Sequence, residues 1–162
     1  MSLVPAGSGR TLIDGAWWPY SRDLTAELPA LAGVLGSRGE RITRATVNPA
    51  RWPVVPRRVP VEGHVLKVGW FAEQDLDLLM LVSYRSGRWD LLVVPPETDA
   101  ETAEWLMAAA ADPLRTSAPS DLVDEAGARH EADRTAAGES AQRAVWDSEG
   151  GRAPRRPTGA RT

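Results

Sequence analysis

Trp17, Trp18, Trp70 and Trp89 occur in short blocks with Arg22 and Asp90, residue types that can line a binding site. Indole faces stack on planar ligands, a guanidinium grips a carboxylate or phosphate in two places, and a carboxylate accepts hydrogen bonds. The same residues have a plainer reading, which carries more weight. Tryptophan contributes large buried area, Asp14 before Gly15 suits a turn, Ser21 or Asp23 suits a helix cap, and Arg88 with Asp90 suits one exposed strand face. Trp17 and Trp18 are informative as neighbours. On a strand they face opposite sides, so at most one of them enters a given core layer.

A second candidate is the basic stretch from Arg38 to Arg58. Arg38, Arg41, Arg44, Arg51, Arg57 and Arg58 are opposed there only by Glu40, and Trp52 lies among them. Arginines with an aromatic group could contact phosphates and stack a base, which makes single-stranded nucleic acid binding a lesser reading. Pro53-Val54-Val55-Pro56-Arg57 also fits a proline-rich docking pattern, a match so common that a rigid connection explains it better.

Catalytic and metal-binding patterns are thin. The chain has no cysteine, which excludes thiolate metal sites and cysteine nucleophiles and suits a reducing cytosol. Its two histidines are His64, in an expected strand, and His130. Glu73, Asp75 and Asp77 lack the glycine and distal glutamate of a calcium loop. Gly7-Ser8-Gly9 lacks the lysine and helix of a phosphate loop. No catalytic residue, metal ligand or cofactor is assigned, although a pair of carboxylates in a cleft stays open to catalysis.

The elements that must hold these residues are distributed unevenly. Of the 162 residues, 40 of the first 112 are large and apolar but only five of the last 50. Residues 1–112 therefore read as one domain of ordinary size, and residues 113–162 as a mostly disordered tail that cannot offset roughly 1–2 kcal/mol of backbone entropy per residue. The formal net charge of -3 gives a weak overall field, so nucleic acid is not an expected partner on charge alone. No segment has the length of a membrane helix, and the N-terminal residues lack the pattern of a signal peptide. A cytoplasmic location is the expectation.

Periodicity predicts strands at about 11–18, 41–48, 64–71, 78–84 and 88–94, with Leu3-Val4 as a short addition to the first. The last two form a hairpin around Arg85-Ser86-Gly87. Both are apolar on their two faces, which places them centrally under cover from both sides, by helices, by the proline-rich crossing of residues 49–60, or by another subunit. Leu24, Leu28, Leu31 and Leu35 recur at helical spacing, with Pro29 complicating the start. Thr98 and Glu101 form a capping box for a second helix carrying Ala103, Leu106, Met107 and Ala110. The fold expected is α+β: a mainly antiparallel sheet of about five strands in the order β-α-β-β-β-β-α, packed with two helices.

The blocks Asp14-Gly15-Ala16-Trp17-Trp18-Pro19, Ser21-Arg22-Asp23-Leu24 with Glu27-Leu28-Pro29-Ala30-Leu31, and Arg88-Trp89-Asp90-Leu91-Leu92-Val93-Val94-Pro95-Pro96 carry a resemblance. So do Arg41-Ile42-Thr43-Arg44 and Val68-Gly69-Trp70-Phe71. Together these blocks resemble a family of small actinobacterial proteins known only as a domain of unknown function. The resemblance covers about residues 10–112. It implies a bacterial cytosolic origin and supplies no catalytic residues. The leading expectation is a non-catalytic binding or protein-interaction domain, with self-association or a protein partner in view. The alternative is a small-molecule-binding protein or enzyme using the Trp, Arg and Asp set.

Overall fold

The computed structural model describes residues 1–5 and 11–150. Gly7-Ser8-Gly9 and the arginine-bearing end beyond residue 150 lie outside the described residues. Two compact units result, Met1–Ala126 and Gly127–Thr162.

The first unit is an α+β domain. Its strands are β1 (Ser2–Leu3), β2 (Gly15–Trp17), β3 (Ile42–Val47), β4 (Arg58–Val61), β5 (His64–Trp70), β6 (Leu78–Ser83) and β7 (Gly87–Val93). They form one sheet in the order β1-β2-β7-β6-β3-β5-β4. Two of its pairs, β2 with β7 and β3 with β5, are parallel. The expectation of about five mainly antiparallel strands is thus corrected to seven in a mixed sheet. The missed strand is β4, hidden by its own proline. Pro60 breaks a strand pattern, but β4 is the last strand of the sheet, and an edge strand can leave one side without donors. Strands β4 and β5 join through Glu62-Gly63, and Gly63 supplies the left-handed backbone (φ 83°) that a two-residue hairpin requires.

Helix α1 (Leu24–Gly36) follows from its leucines: Leu24, Leu28, Leu31 and Leu35 are all buried. Burying four leucines is worth about 6–12 kcal/mol, against about 3 kcal/mol for the bond that Pro29 removes, so the helix persists through the proline. Asp23 caps it, its carboxylate accepting from the Thr25 N–H at 3.0 Å. The stripe covers one face of the sheet with Trp17, Trp52, Ala45, Val47, Val59, Leu66, Leu79, Leu81, Leu91 and Val93.

The alternate residues build a second core on the opposite face. Ala16, Leu92 and Val94 pack there with Ala103, Leu106, Ala109 and Ala110 of α2 (Ala100–Ala110), and with Leu122 and Ala126. The capping of α2 falls one residue later than the Thr98 box suggests, with Asp99 accepting from the Thr102 N–H at 3.0 Å. Leu122 and Ala126 belong to a third helix, α3 (Pro119–Gly150), which corrects the expectation of two helices. Two apolar residues one turn apart and a capping contact suffice to seat its start. The Asp75 carboxylate accepts from the backbone N–H of Ser120 at 3.1 Å and from its hydroxyl at 2.7 Å, negative charge against a helix N-terminus. From Gly127 to Ser148 the helix is exposed except for His130.

The two apolar strands are central, as their sequence requires: β6 and β7 contribute to the α1-side core on one face and to the α2/α3 core on the other. That second core covers only the β1-β2-β7-β6 part of its face. Among the described residues of the first unit, no helix packs on the β3-β5-β4 part of that face.

Candidate functional site

Register decides what occupies the bare part of the sheet. Arg58 lies directly opposite Lys67, and Lys67 opposite Arg44. Directly paired residues project to the same face, so three cations form a row across β4, β5 and β3. Arg44 is paired in turn with Val82, and Val82 with Arg88, whose Nε donates to Asp90 at 2.7 Å. One step along the strands, Gly69 pairs with Thr46 and Thr46 with Met80. These residues floor a groove of about 710 Å³, walled by Val55, Pro56 and Arg57 and by Trp70 and Phe71.

Four of the groove residues are cationic (Arg44, Arg57, Arg58, Lys67) and none is acidic. All four are exposed, and no ion pair joins any of them to an acid among the described residues. Trp70 and Phe71 are 63% and 56% exposed, unusual for large aromatic groups beside a packed core. Gly69 keeps the floor open, since a Cβ built on it would meet nothing closer than the Thr46 hydroxyl at 4.0 Å. Gln74 ties the adjoining loop to the sheet, its amide nitrogen donating to the carbonyls of Thr46 and Leu78 at 2.8 Å each. Asn48 does the same toward Ala72 and Gln74. The groove rests on a fixed backbone.

The residues singled out in the sequence are dispersed by the fold. Trp17 is buried under α1, stacked on Trp52 with ring centroids 6.1 Å apart. Trp18 packs on the opposite face, against the second core. Trp89 is half-buried on the α1 side, beside Glu40, while Asp90 on the other face holds Arg88. Arg22 donates to the Arg51 carbonyl at 3.0 Å and pairs with Glu97 at 3.1 Å. Only Trp70 of the set borders the groove, and its pairing with Val47 turns its side chain toward the α1 face. The basic stretch divides as well: Arg44, Arg57 and Arg58 enter the groove, whereas Arg51 pairs with the buried Asp77 at 3.4 Å. Lys67 and Phe71 were missed, although the alternation of Leu66 and Val68 with Lys67 and Gly69 marks Lys67 as facing away from the core.

Two other polar clusters have structural explanations. Glu40 accepts hydrogen bonds from the Ser83 and Ser86 hydroxyls, which hold its pKa below the usual glutamate value and fasten the β6–β7 hairpin. Burial pushes the Asp77 carboxyl up, and Arg51 partly opposes the shift. Near Glu40 a smaller hollow of about 480 Å³ includes His64, whose Nε2 lies against the Ile42 carbonyl and is thereby occupied. Among the described residues no three His, Asp or Glu side chains converge as metal ligands do.

A family model covers residues 1–110, which take in every strand and the whole of α2. The chain belongs to the family of unknown function DUF5994. All groove residues fall within the family region, and the Leu122 and Ala126 contacts of α3 fall outside it. Comparison with curated proteins and with solved structures finds no match. No helix among the described residues is long and apolar enough to cross a membrane.

Proposed function

We propose that this protein is a non-catalytic binding domain of the bacterial cytoplasm that holds an anionic ligand on the open β3-β5-β4 face. One observation carries the reading: Arg58, Lys67 and Arg44 stand side by side in register with no acid among them. Like charges placed directly opposite in a sheet oppose folding, so such a row is favoured only where a counter-charge arrives from outside. The lack of cysteine is consistent with a reducing compartment. Strand addition at β4 has less support, because a four-residue edge that contains Pro60 and begins with Arg58 resists pairing with another chain.

The test is calorimetric titration with inorganic tripolyphosphate at low salt. Binding to the wild type is expected, with its loss in a combined Arg44→Gln, Arg58→Gln and Lys67→Gln variant and its retention in Arg38→Gln. Gly69→Leu, which fills the groove without changing any charge, is expected to weaken binding too. Equal binding by the wild type and the triple variant would refute the assignment of the site.

A further inference from the structure

We infer that the anion is the backbone of a single-stranded nucleic acid with a base stacked on Phe71; this deepens the anion-binding reading above and rests on it. A small phosphate or carboxylate needs cations converging on one point. The cations here are instead strung out. Arg58, Lys67 and Arg44 repeat at the strand spacing and span roughly 10 Å, a track suited to a chain of phosphates. Arg57 extends the track at the groove wall.

Charge alone would serve any polyanion, and the aromatic residues narrow the choice. Trp17 and Trp52 show how this fold treats an indole that serves packing: both are buried and stacked on each other. Phe71, by contrast, is exposed just past the strand that carries Lys67, within the same groove, and alternation turns it to the face of Lys67 and Gly69, whereas Trp70, paired with the buried Val47, lies on the α1 face. Cations that track a backbone beside aromatic faces are how proteins hold single strands without reading sequence, because every base has a face to stack. A duplex keeps its bases within its own stack and would engage only the cations. The floor of Thr46, Gly69 and Met80 is low, which leaves room for a base beside the Phe71 ring.

Fluorescence anisotropy with a labelled twelve-residue oligothymidylate tests the inference, with tripolyphosphate titrated separately on the same proteins. Four cations predict that log affinity falls with log salt at a slope of about -3, and Arg44→Gln with Lys67→Gln should reduce that slope by about half. Phe71→Ala should weaken oligonucleotide binding roughly 5- to 150-fold, the range for one stacked base, with a much smaller effect on tripolyphosphate, which has nothing to stack. Phe71 is 56% exposed, so its removal leaves the core intact. If Phe71→Ala binds the oligonucleotide as tightly as the wild type, or a duplex of equal length binds as well as the single strand, the nucleic-acid inference falls while anion binding stands. If neither the oligonucleotide nor tripolyphosphate binds the wild type, both fall.

Discussion

Removing the central charge of the cationic row should make this protein more stable. Lys67 lies between Arg58 and Arg44, and the row contains no acid. With charge centres taken at about 6 Å, each like pair costs about 0.7 kcal/mol in water before screening. At a Debye length of about 8 Å, in physiological salt, each pair falls to about 0.3 kcal/mol. Lys67→Gln removes two such pairs and keeps most of the stem, so the gain is about 0.6 kcal/mol, or about 2–3 °C in melting temperature for a domain of this size. At 10 mM salt, where screening is nearly absent, it should approach 5 °C, and at 1 M it should vanish. Thermal unfolding followed by circular dichroism at three salt concentrations measures it. A lower melting temperature for the variant, or a gain that salt does not reduce, would show that the row is not electrostatically strained and would remove the argument for an external counter-charge.

Other expectations come from separate parts of the fold. Leu122 is fully buried in the second core, so Leu122→Ala should cost about 2–5 kcal/mol in urea unfolding, although it lies beyond the family region. A cost near zero would mean that α3 does not dock. A Cβ on Gly15 would sit 2.0 Å from the Ser2 carbonyl oxygen, so Gly15→Ala should expel β1. Hydrogen exchange would show it as lost protection of the Val4 amide, which donates to the Asp14 carbonyl at 2.7 Å, with the β6 amides still slow. Glu40 has a folded pKa below its unfolded value, so its contribution to stability is complete above about pH 4.5 and fades as pH falls through the lowered value. Glu40→Gln should therefore be less stable than the wild type at pH 7, by an amount that shrinks on acidification below pH 4.5. A difference independent of pH would assign the effect to packing.

The elements legible in the sequence were those whose local pattern agreed with their final surroundings. The leucine stripe of α1 and the β6–β7 hairpin are of this kind, and both appear within a residue or two of expectation. The Gly87 of that hairpin adopts the left-handed backbone (φ 77°) that its loop demands. β4 was illegible because Pro60 is tolerated only through its edge position, a property of strand order and not of the strand itself. The start of α3 was illegible because two apolar residues make no periodic signal, and Asp75, which holds Ser120, is 45 residues away. The groove was half visible. Its arginines were noticed, but their juxtaposition with Lys67 depends on β3 and β5 being parallel neighbours, which no local pattern encodes. The separation of Trp17 from Trp18 was legible, because strand alternation alone sends neighbours to opposite faces.

The strand order also constrains how the chain comes together during synthesis. β2 is held between β1 and β7, and β3 between β5 and β6, so the N-terminal strand acquires its inner neighbour only after residue 93 has been made. Until then the leucines of α1 have only the β3-β4-β5 portion of the sheet to lie against. Closure over so long a separation is slow relative to local pairing. A growing chain stopped anywhere before Gly87 would present an unfinished apolar surface; the β6–β7 hairpin completes the sheet, and the second core closes only once α2 and the start of α3 follow. In a crowded cell that makes the final third of the domain, and not its beginning, the part on which its escape from aggregation depends.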